Sequence, residues 1–253
     1  MIMGTQMFTV RDFCQDSDGI INSLEKIKEI GYSTVQLSGI ARMDEEVLKE
    51  NLDRLGIKPI VTHIPYAAMK NNVKKVAEIH KMLGCKYVGL GAMPWDLDRS
   101  KKETFIDFAR EFDKVAKEYD KEGLKVTYHN HNIEFVNFDG KTGLELIKDN
   151  SECCEFLLDT HWIQRGGADI CDTIEKFADR ISIIHFKDMA VDPHEKITME
   201  AIGSGNISWD KVIKQCEKVG ITHVFVEQDD CNGENPFDCL KKSYDYLKKA
   251  GLE

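Results

Sequence analysis

Side chains that bind metal ions recur at the ends of four short apolar segments in the second half of the sequence. The segments run from Val126 to His131, from Phe156 to Trp162, from Ile181 to Asp188 and from His223 to Asp229. Each begins with apolar or β-branched residues, as a buried strand does. Imidazole nitrogens mixed with carboxylate oxygens suit Mn, Co, Zn or Fe(II) better than Ca, which prefers oxygen alone. The pattern predicts a metal site whose candidate ligands are His129 or His131, Asp159, His185 and Glu227.

The first of these segments offers more than one ligand. Strand alternation places Tyr128 on one side of the strand and leaves His129 and His131 together on the other, so either histidine is a candidate. Glu134 follows His131 by three residues, and it is predicted either to reach the metal or to act as a base.

The other ligands have structural alternatives. Asp159 follows a largely apolar run, where a carboxylate is costly to bury without a partner, although it could instead cap the next helix. His185 could be a hydrogen-bonded core histidine. Glu227 ends an apolar strand, and the two acids that follow it, Asp229 and Asp230, are predicted to lie in a loop.

These segments belong to an alternation of strands and helices that runs along the whole chain. The first strand is predicted within Thr5–Val10, and eight strands and eight helices are expected. An open doubly wound sheet is disfavoured because no glycine-rich turn follows the first strand. The sequence predicts a (β/α)8 TIM barrel that occupies residues 1–253 as one domain. The predicted helices are Ser23–Ile30, Asp44–Leu55, Asn72–Leu83, Glu103–Glu122, Gly143–Lys148, Ile170–Ala178, Trp209–Val219 and Phe237–Ala250.

Polar residues also end the first three strands of the predicted barrel. Gln6, Gln36 and His63 are expected at the same mouth as the metal ligands, because the carboxyl ends of all barrel strands share one face. They are predicted to bind substrate, with a hydrogen-bonded rim position as the alternative. The aromatic residues Phe8, Trp95 and Trp162 are weaker candidates for the pocket wall.

Charge and composition narrow the class of partner. The 253 residues carry a formal net charge of −10, which disfavours nucleic acid and anionic membranes. The eight cysteines lack the spacing of a disulfide framework, which favours reduced thiols. The N-terminus has no signal-peptide pattern, and no stretch approaches the roughly 18 apolar residues of a membrane span. We therefore expect a cytoplasmic protein that acts on a small molecule.

Six motifs resemble those of the sugar phosphate isomerase/epimerase family of xylose isomerase-like TIM barrels. They are QMFTVRD, YHNHNIEF, LLDTHW, HFKD, GSGNISW and FVEQD, and the resemblance covers the whole chain. Members usually hold one divalent metal with Glu, Asp, His and Glu from strands five to eight. The resemblance places His129 where the first Glu stands, and the chain is similar to the subgroup with a YHNHxxEF motif. It also implies that His161 and Lys187 contact substrate.

The resemblance implies a metal-dependent sugar or keto-sugar isomerase or epimerase that works through an enediolate. His131, Glu134, Lys187 and Glu227 are the predicted catalytic residues. Mn is the first choice of metal, with Zn, Co, Fe or Mg as alternatives. The runner-up is a lyase or dehydratase acting on an inosose or a 3-keto-glycoside, or one subunit of such a lyase. A homodimer or hetero-oligomer is expected.

Two alternative classes of function are a nuclease and a non-catalytic sugar-binding subunit. Endonuclease IV relatives hold three zinc ions with about twice as many ligands and need basic loops for phosphates. The acidic chain and its sparse ligand set argue against that class. A non-catalytic sugar-binding subunit remains the more credible of the two.

Overall fold

Eight parallel strands close into a barrel in the computed structural model, which describes residues 1–253. Consecutive strands are neighbours, and the first strand pairs with the eighth from Ile2 beside His223 to Thr5 beside Val226. The predicted (β/α)8 barrel is confirmed. The barrel strands β1 to β8 are Ile2–Gln6, Thr34–Leu37, Lys58–His63, Tyr87–Leu90, Lys125–His129, Glu155–Asp159, Ile183–Phe186 and His223–Val226.

Ten α-helices surround the barrel. The eight predicted helices are present, although the first begins at Ser17 rather than Ser23, because the Asp16 side chain caps it by accepting a hydrogen bond from the Gly19 amide. Two short helices, α3 (Tyr66–Asn71) and α7 (Thr160–Arg165), were not predicted. No helix combines the length and apolarity that a membrane crossing requires. The helices α1 to α10 are Ser17–Ile30, Glu45–Leu55, Tyr66–Asn71, Val73–Leu83, Lys102–Lys121, Gly143–Asp149, Thr160–Arg165, Ile170–Phe177, Trp209–Val219 and Pro236–Lys249.

The predicted strand segments were longer than the strands themselves. Strand β5 ends at His129, and β6 ends at Asp159 rather than at Trp162, because Asp159 caps α7 through a hydrogen bond from the Trp162 amide. The predicted first strand is also shifted, since Met7–Phe13 forms a 3-10 helix after β1. At the ends of β1 and β6 a polar residue, Gln6 or Asp159, caps the helix that follows.

The barrel interior has an apolar layer below a polar one. Gly4 is required in the lower layer, because a Cβ there would lie 2.7 Å from the Phe225 ring. Side chains alternate along a strand, so residues two positions further on point into the same interior. The polar groups at the mouth therefore stand on an apolar floor. The floor residues are Val61, Tyr87, Leu157, Ile183 and Phe225, and two positions beyond four of them come His63, Asp159, His185 and Glu227.

The outward faces of the strands pack against the helices in a core of 58 buried residues. Tyr128 of β5 illustrates this layer, because its ring lies 5.7 Å from Phe108 and 6.0 Å from Phe112 of α5. Phe186 of β7 packs in the same way against Trp209 of α9, with ring centroids 4.8 Å apart. This apolar packing holds each strand end at a defined position.

Asp188 organises the loop that follows β7. It begins a hairpin in which Asp188–Val191 pairs with Ile197–Glu200. Its buried carboxylate accepts five hydrogen bonds, and Gly205 must be glycine because a Cβ there would lie 2.4 Å from Asp188 Oδ1. The donors are the amides of Met189, Gly203, Gly205 and Ile207 and the indole N–H of Trp209.

We expect Asp188→Asn to destabilise the protein by about 3 kcal/mol, because an amide nitrogen would face donors that now bond a carboxylate oxygen. Urea unfolding measures the change. The exposed Asp107 of α5 offers a control, and Asp107→Asn should change the free energy of unfolding by less than about 0.5 kcal/mol. Equal stability of Asp188→Asn and the wild type would contradict the role given to Asp188.

Candidate metal centre

Four buried side chains from strands β5 to β8 converge inside the barrel mouth. They are His129, Asp159, His185 and Glu227, and one ligand atom from each lies within 4.8 Å of all the others. The structure thus brings together the four residues named as metal ligands from the sequence. The sequence offered three candidates at the end of strand β5. Of these, His129 joins the cluster, whereas His131 and Glu134 do not.

The orientation of His129 is set by the backbone of the neighbouring strand. Its Nδ1 lies 3.0 Å from the carbonyl oxygen of Gly91, which can only accept a hydrogen bond, so Nδ1 carries the proton. The other ring nitrogen, Nε2, then faces Asp159 Oδ2 at 3.4 Å. Metal-binding histidines typically donate a hydrogen bond from the ring nitrogen that does not bind the metal, as Nδ1 of His129 does here.

His185 is oriented by Gln36. Its Nε2 lies 2.7 Å from Gln36 Oε1 and donates to it, which turns Nδ1 toward the cluster. Nδ1 lies 2.9 Å from Glu227 Oε2 and 3.6 Å from Asp159 Oδ2, yet neither contact has hydrogen-bond geometry. Gln36 was predicted to bind substrate, but it is fully buried behind His185 and positions that ring instead.

Opposite charges are packed tightly in this cluster. Burial opposes the ionisation of Asp159 and Glu227, but the Lys187 ammonium and the neighbouring histidines outweigh it and hold the pKa of both carboxyls well below the ordinary value. Burial likewise opposes the charged form of His185, but Glu227 and Asp159 raise its pKa to about 9. The carboxylates are therefore ionised at neutral pH, and His185 and Lys187 compensate their charge.

The donor set fits a divalent metal ion. Metal bonds to histidine nitrogen or carboxylate oxygen are about 2.0–2.2 Å long, which puts two ligand atoms at most about 4.4 Å apart. The widest pair in the cluster, at up to 4.8 Å, needs only a small contraction to reach this limit. His185 Nδ1 is buried without a hydrogen-bond partner, as expected for an atom that a metal would engage.

A cavity of about 190 Å³ opens directly above the cluster. Two predicted substrate-binding residues, Gln6 and His63, lie on its wall, and each has a buried Nε2 without a partner. His161 does not lie on the wall and is fully buried. The complete lining is Gln6, Phe8, Ser38, His63, Gly91, Ala92, Trp95, His129, His131, Lys187, Glu227 and Asp229.

His131 and Glu134, the two other candidates that follow strand β5, have different surroundings. His131 lines the cavity, and burial, together with nearby His129, lowers its pKa to about 3, so the ring is neutral at pH 7. Glu134 is turned away, because Tyr128 Oη and the His131 amide each donate to one of its oxygens at 2.7 Å. These bonds anchor the backbone that carries His131.

The sequence prediction missed Asp229, which it assigned to a loop. The residue lies on the cavity wall, and its Oδ2 is 2.8 Å from Lys187 Nζ. Asp229 stands two positions after Glu227, so strand alternation continued beyond the end of β8 would have placed both acids on one face.

The chain belongs to the family described as xylose isomerase-like TIM barrel, whose pattern matches residues 24–250. The resemblance stated from the sequence motifs is thereby confirmed at the level of the family. The narrower subgroup defined by the YHNHxxEF motif stays a prediction.

Individual relatives are distant. An inosose dehydratase from Geobacillus kaustophilus is 24% identical over an alignment of 203 residues, and the alignment covers 71% of this chain and 65% of that enzyme. A sugar phosphate isomerase/epimerase from Parabacteroides distasonis has a TM-score of 0.80 at 24% identity and covers 98% of both chains. An L-ribulose 3-epimerase has a TM-score of 0.76 at 16% identity, covering 98% of this chain and 94% of its own. At these identities the structural likeness supports the fold alone.

We expect His185→Ala to weaken the binding of Mn²⁺ more than about 100-fold, because it removes one of four ligands from a preformed cluster. Competition with a chelating dye measures the affinity. The matched control is His223→Ala, which should keep the wild-type affinity. His223 lies at the opposite end of β8, and its side chain hydrogen-bonds the neighbouring Thr222. A His185→Ala protein that keeps wild-type affinity would exclude this site.

Gln36→Leu tests the support behind the ligand. Loss of the Oε1 acceptor should free the His185 ring to rotate and weaken Mn²⁺ binding about 10- to 100-fold. Gln36→Glu keeps an acceptor oxygen and should bind Mn²⁺ at least as well as the Leu variant. Equal affinity of Gln36→Leu and the wild type would show that the contact does not orient the ring.

Proposed function

We propose that this protein is a divalent-metal-dependent isomerase or epimerase of a sugar or keto-sugar that works through an enediolate. The observation that carries the proposal is the cluster of two histidines and two carboxylates on the floor of a small polar cavity. Manganese is the metal we would test first, because mixed imidazole and carboxylate ligands suit it.

The cavity wall supports a ligand rich in hydroxyl groups. Gln6 Nε2, His63 Nε2 and Asp229 Oδ1 are buried and lack partners, although all three residues face the cavity. Unpaired buried polar atoms are costly, and a bound sugar would pair them. Phe8 and Trp95 add aromatic surface to the same wall.

Proton transfer next to a carbonyl needs a base and a group that stabilises negative charge. A divalent metal, when bound, supplies positive charge to stabilise the enediolate. We assign proton abstraction to the Glu227 carboxylate, and the Lys187 ammonium, 3.2 Å away, would donate a hydrogen bond to a substrate oxygen. His131 also lines the cavity, and its neutral ring would form a hydrogen bond to a substrate hydroxyl. Glu134 would position His131 rather than react.

A dehydratase or lyase is the second candidate. Its support is the 24% identity to an inosose dehydratase, although the aligned part is only 65% of that enzyme's length. The same enediolate can expel a hydroxyl group from the adjacent carbon. The two reactions differ in their products, because an isomer keeps the mass of the substrate and a dehydration product lacks one water.

The experiment incubates the Mn²⁺-loaded protein in deuterium oxide with a panel of ketoses, inososes and 3-keto-sugars. We expect loss of a carbon-bound proton signal by NMR, and EDTA should abolish the exchange. Mass spectrometry of the products then separates isomerisation from dehydration.

Glu227→Gln removes the proposed base, which is also a member of the metal cluster, so exchange is compared at matched Mn²⁺ occupancy and should fall at least about 100-fold. His223→Ala serves as the control and should retain exchange. If metal-loaded wild-type protein binds sugars from the panel without exchanging any proton, the enzyme proposal fails and a role as a non-catalytic subunit is favoured.

A further inference from the structure

We propose that Asp229 is a positioning residue that draws the Lys187 ammonium away from the metal-binding carboxylates. The inference rests on the proposed metal site and assigns a role to a residue outside its four ligands. It follows from the geometry of one buried cation among three carboxylates.

Lys187 is the only lysine buried in the barrel mouth, with 1% of its surface exposed. Its ammonium lies 2.8 Å from Asp229 Oδ2, 3.2 Å from Glu227 Oε2 and 3.6 Å from Asp159 Oδ2. Three carboxylates therefore surround the Lys187 ammonium, and the shortest of its three contacts is the one to Asp229. The side chain also lies over the Trp162 ring, with Nζ 5.2 Å from its centroid.

Two of these oxygens are the same atoms that complete the metal cluster. Asp159 Oδ2 faces His129 Nε2 at 3.4 Å, and Glu227 Oε2 faces His185 Nδ1 at 2.9 Å. A metal ion bound there would share both oxygens with the ammonium. Two cations that share the same carboxylate oxygens in a buried site repel each other. Lys187 and the metal would therefore compete for Asp159 and Glu227.

Asp229 resolves this competition because it is the one carboxylate of the three that is not in the metal cluster. It lies on the cavity wall, and its Oδ1 is buried without a hydrogen-bond partner. With Oδ2 it can retain the ammonium when the other two oxygens are taken. The ammonium then stays at the wall of the cavity, where a substrate oxygen would meet it.

The test is a double-mutant cycle on Mn²⁺ affinity, which needs no substrate. We expect Asp229→Asn to weaken Mn²⁺ binding about 30-fold in the wild-type background, because Lys187 then relies on Asp159 and Glu227. In a Lys187→Met background the same change should weaken binding only about threefold, through loss of one nearby negative charge. The ratio is a coupling of about tenfold between Asp229 and Lys187.

Controls separate positioning from simpler effects. Asp230→Asn removes the adjacent negative charge, which has no contact with Lys187, and should leave Mn²⁺ affinity within about threefold of the wild type. Asp229→Glu keeps the carboxylate and should restore most of the affinity. Thermal unfolding of each variant establishes that it is folded, and Lys187→Gln replaces Lys187→Met if the latter does not fold.

The outcomes are distinct. An equal loss in both backgrounds would mean that Asp229 acts on the metal by its charge alone or through the fold, and it would overturn the inference. A wild-type protein that binds no Mn²⁺ would overturn both the inference and the proposed function. Tight metal binding without coupling would leave the proposed function standing and reject the role of Asp229.

Discussion

The central physical constraint on this protein is the compensation of charge at the end of a closed barrel. Asp159 and Glu227 are buried, and ionised carboxylates in such a place require cations within contact distance. His185 and Lys187 provide them, at 2.9 Å and 3.2 Å from Glu227. The charges of the cluster therefore depend on one another, because loss of His185 or Lys187 would leave a buried carboxylate less well compensated.

The barrel makes this arrangement possible through its layers. An apolar layer that includes Leu157 and Ile183 closes the barrel below the cluster. Asp159 and His185 follow two positions further along the same strands, so the floor and most of the cluster are built from one alternating pattern. A packed floor closes one side of the cluster, and the cavity opens on the other side.

Residues around the cluster orient its two histidines. Gly91 and Gln36 each accept a hydrogen bond from one of these histidines and so decide which ring nitrogen faces the centre. Asp159 serves two purposes, since one oxygen caps α7 and the other joins the cluster. The alternatives weighed for Asp159 from the sequence, a helix cap and a metal ligand, are therefore compatible in one side chain.

The sequence by itself determined the barrel and three of the four residues that meet at its mouth, Asp159, His185 and Glu227. Strand and helix periodicities are local, and the shared face of parallel strands turns four separate strand ends into one site. Only the tertiary structure decided between His129 and His131, turned Glu134 toward Tyr128, and moved Gln36 from the substrate side to the support of His185. It also brought Asp229 to the cavity. The reason is physical: the pattern of a strand specifies which side a residue faces, whereas the partners of a side chain depend on neighbouring strands that are distant in the sequence.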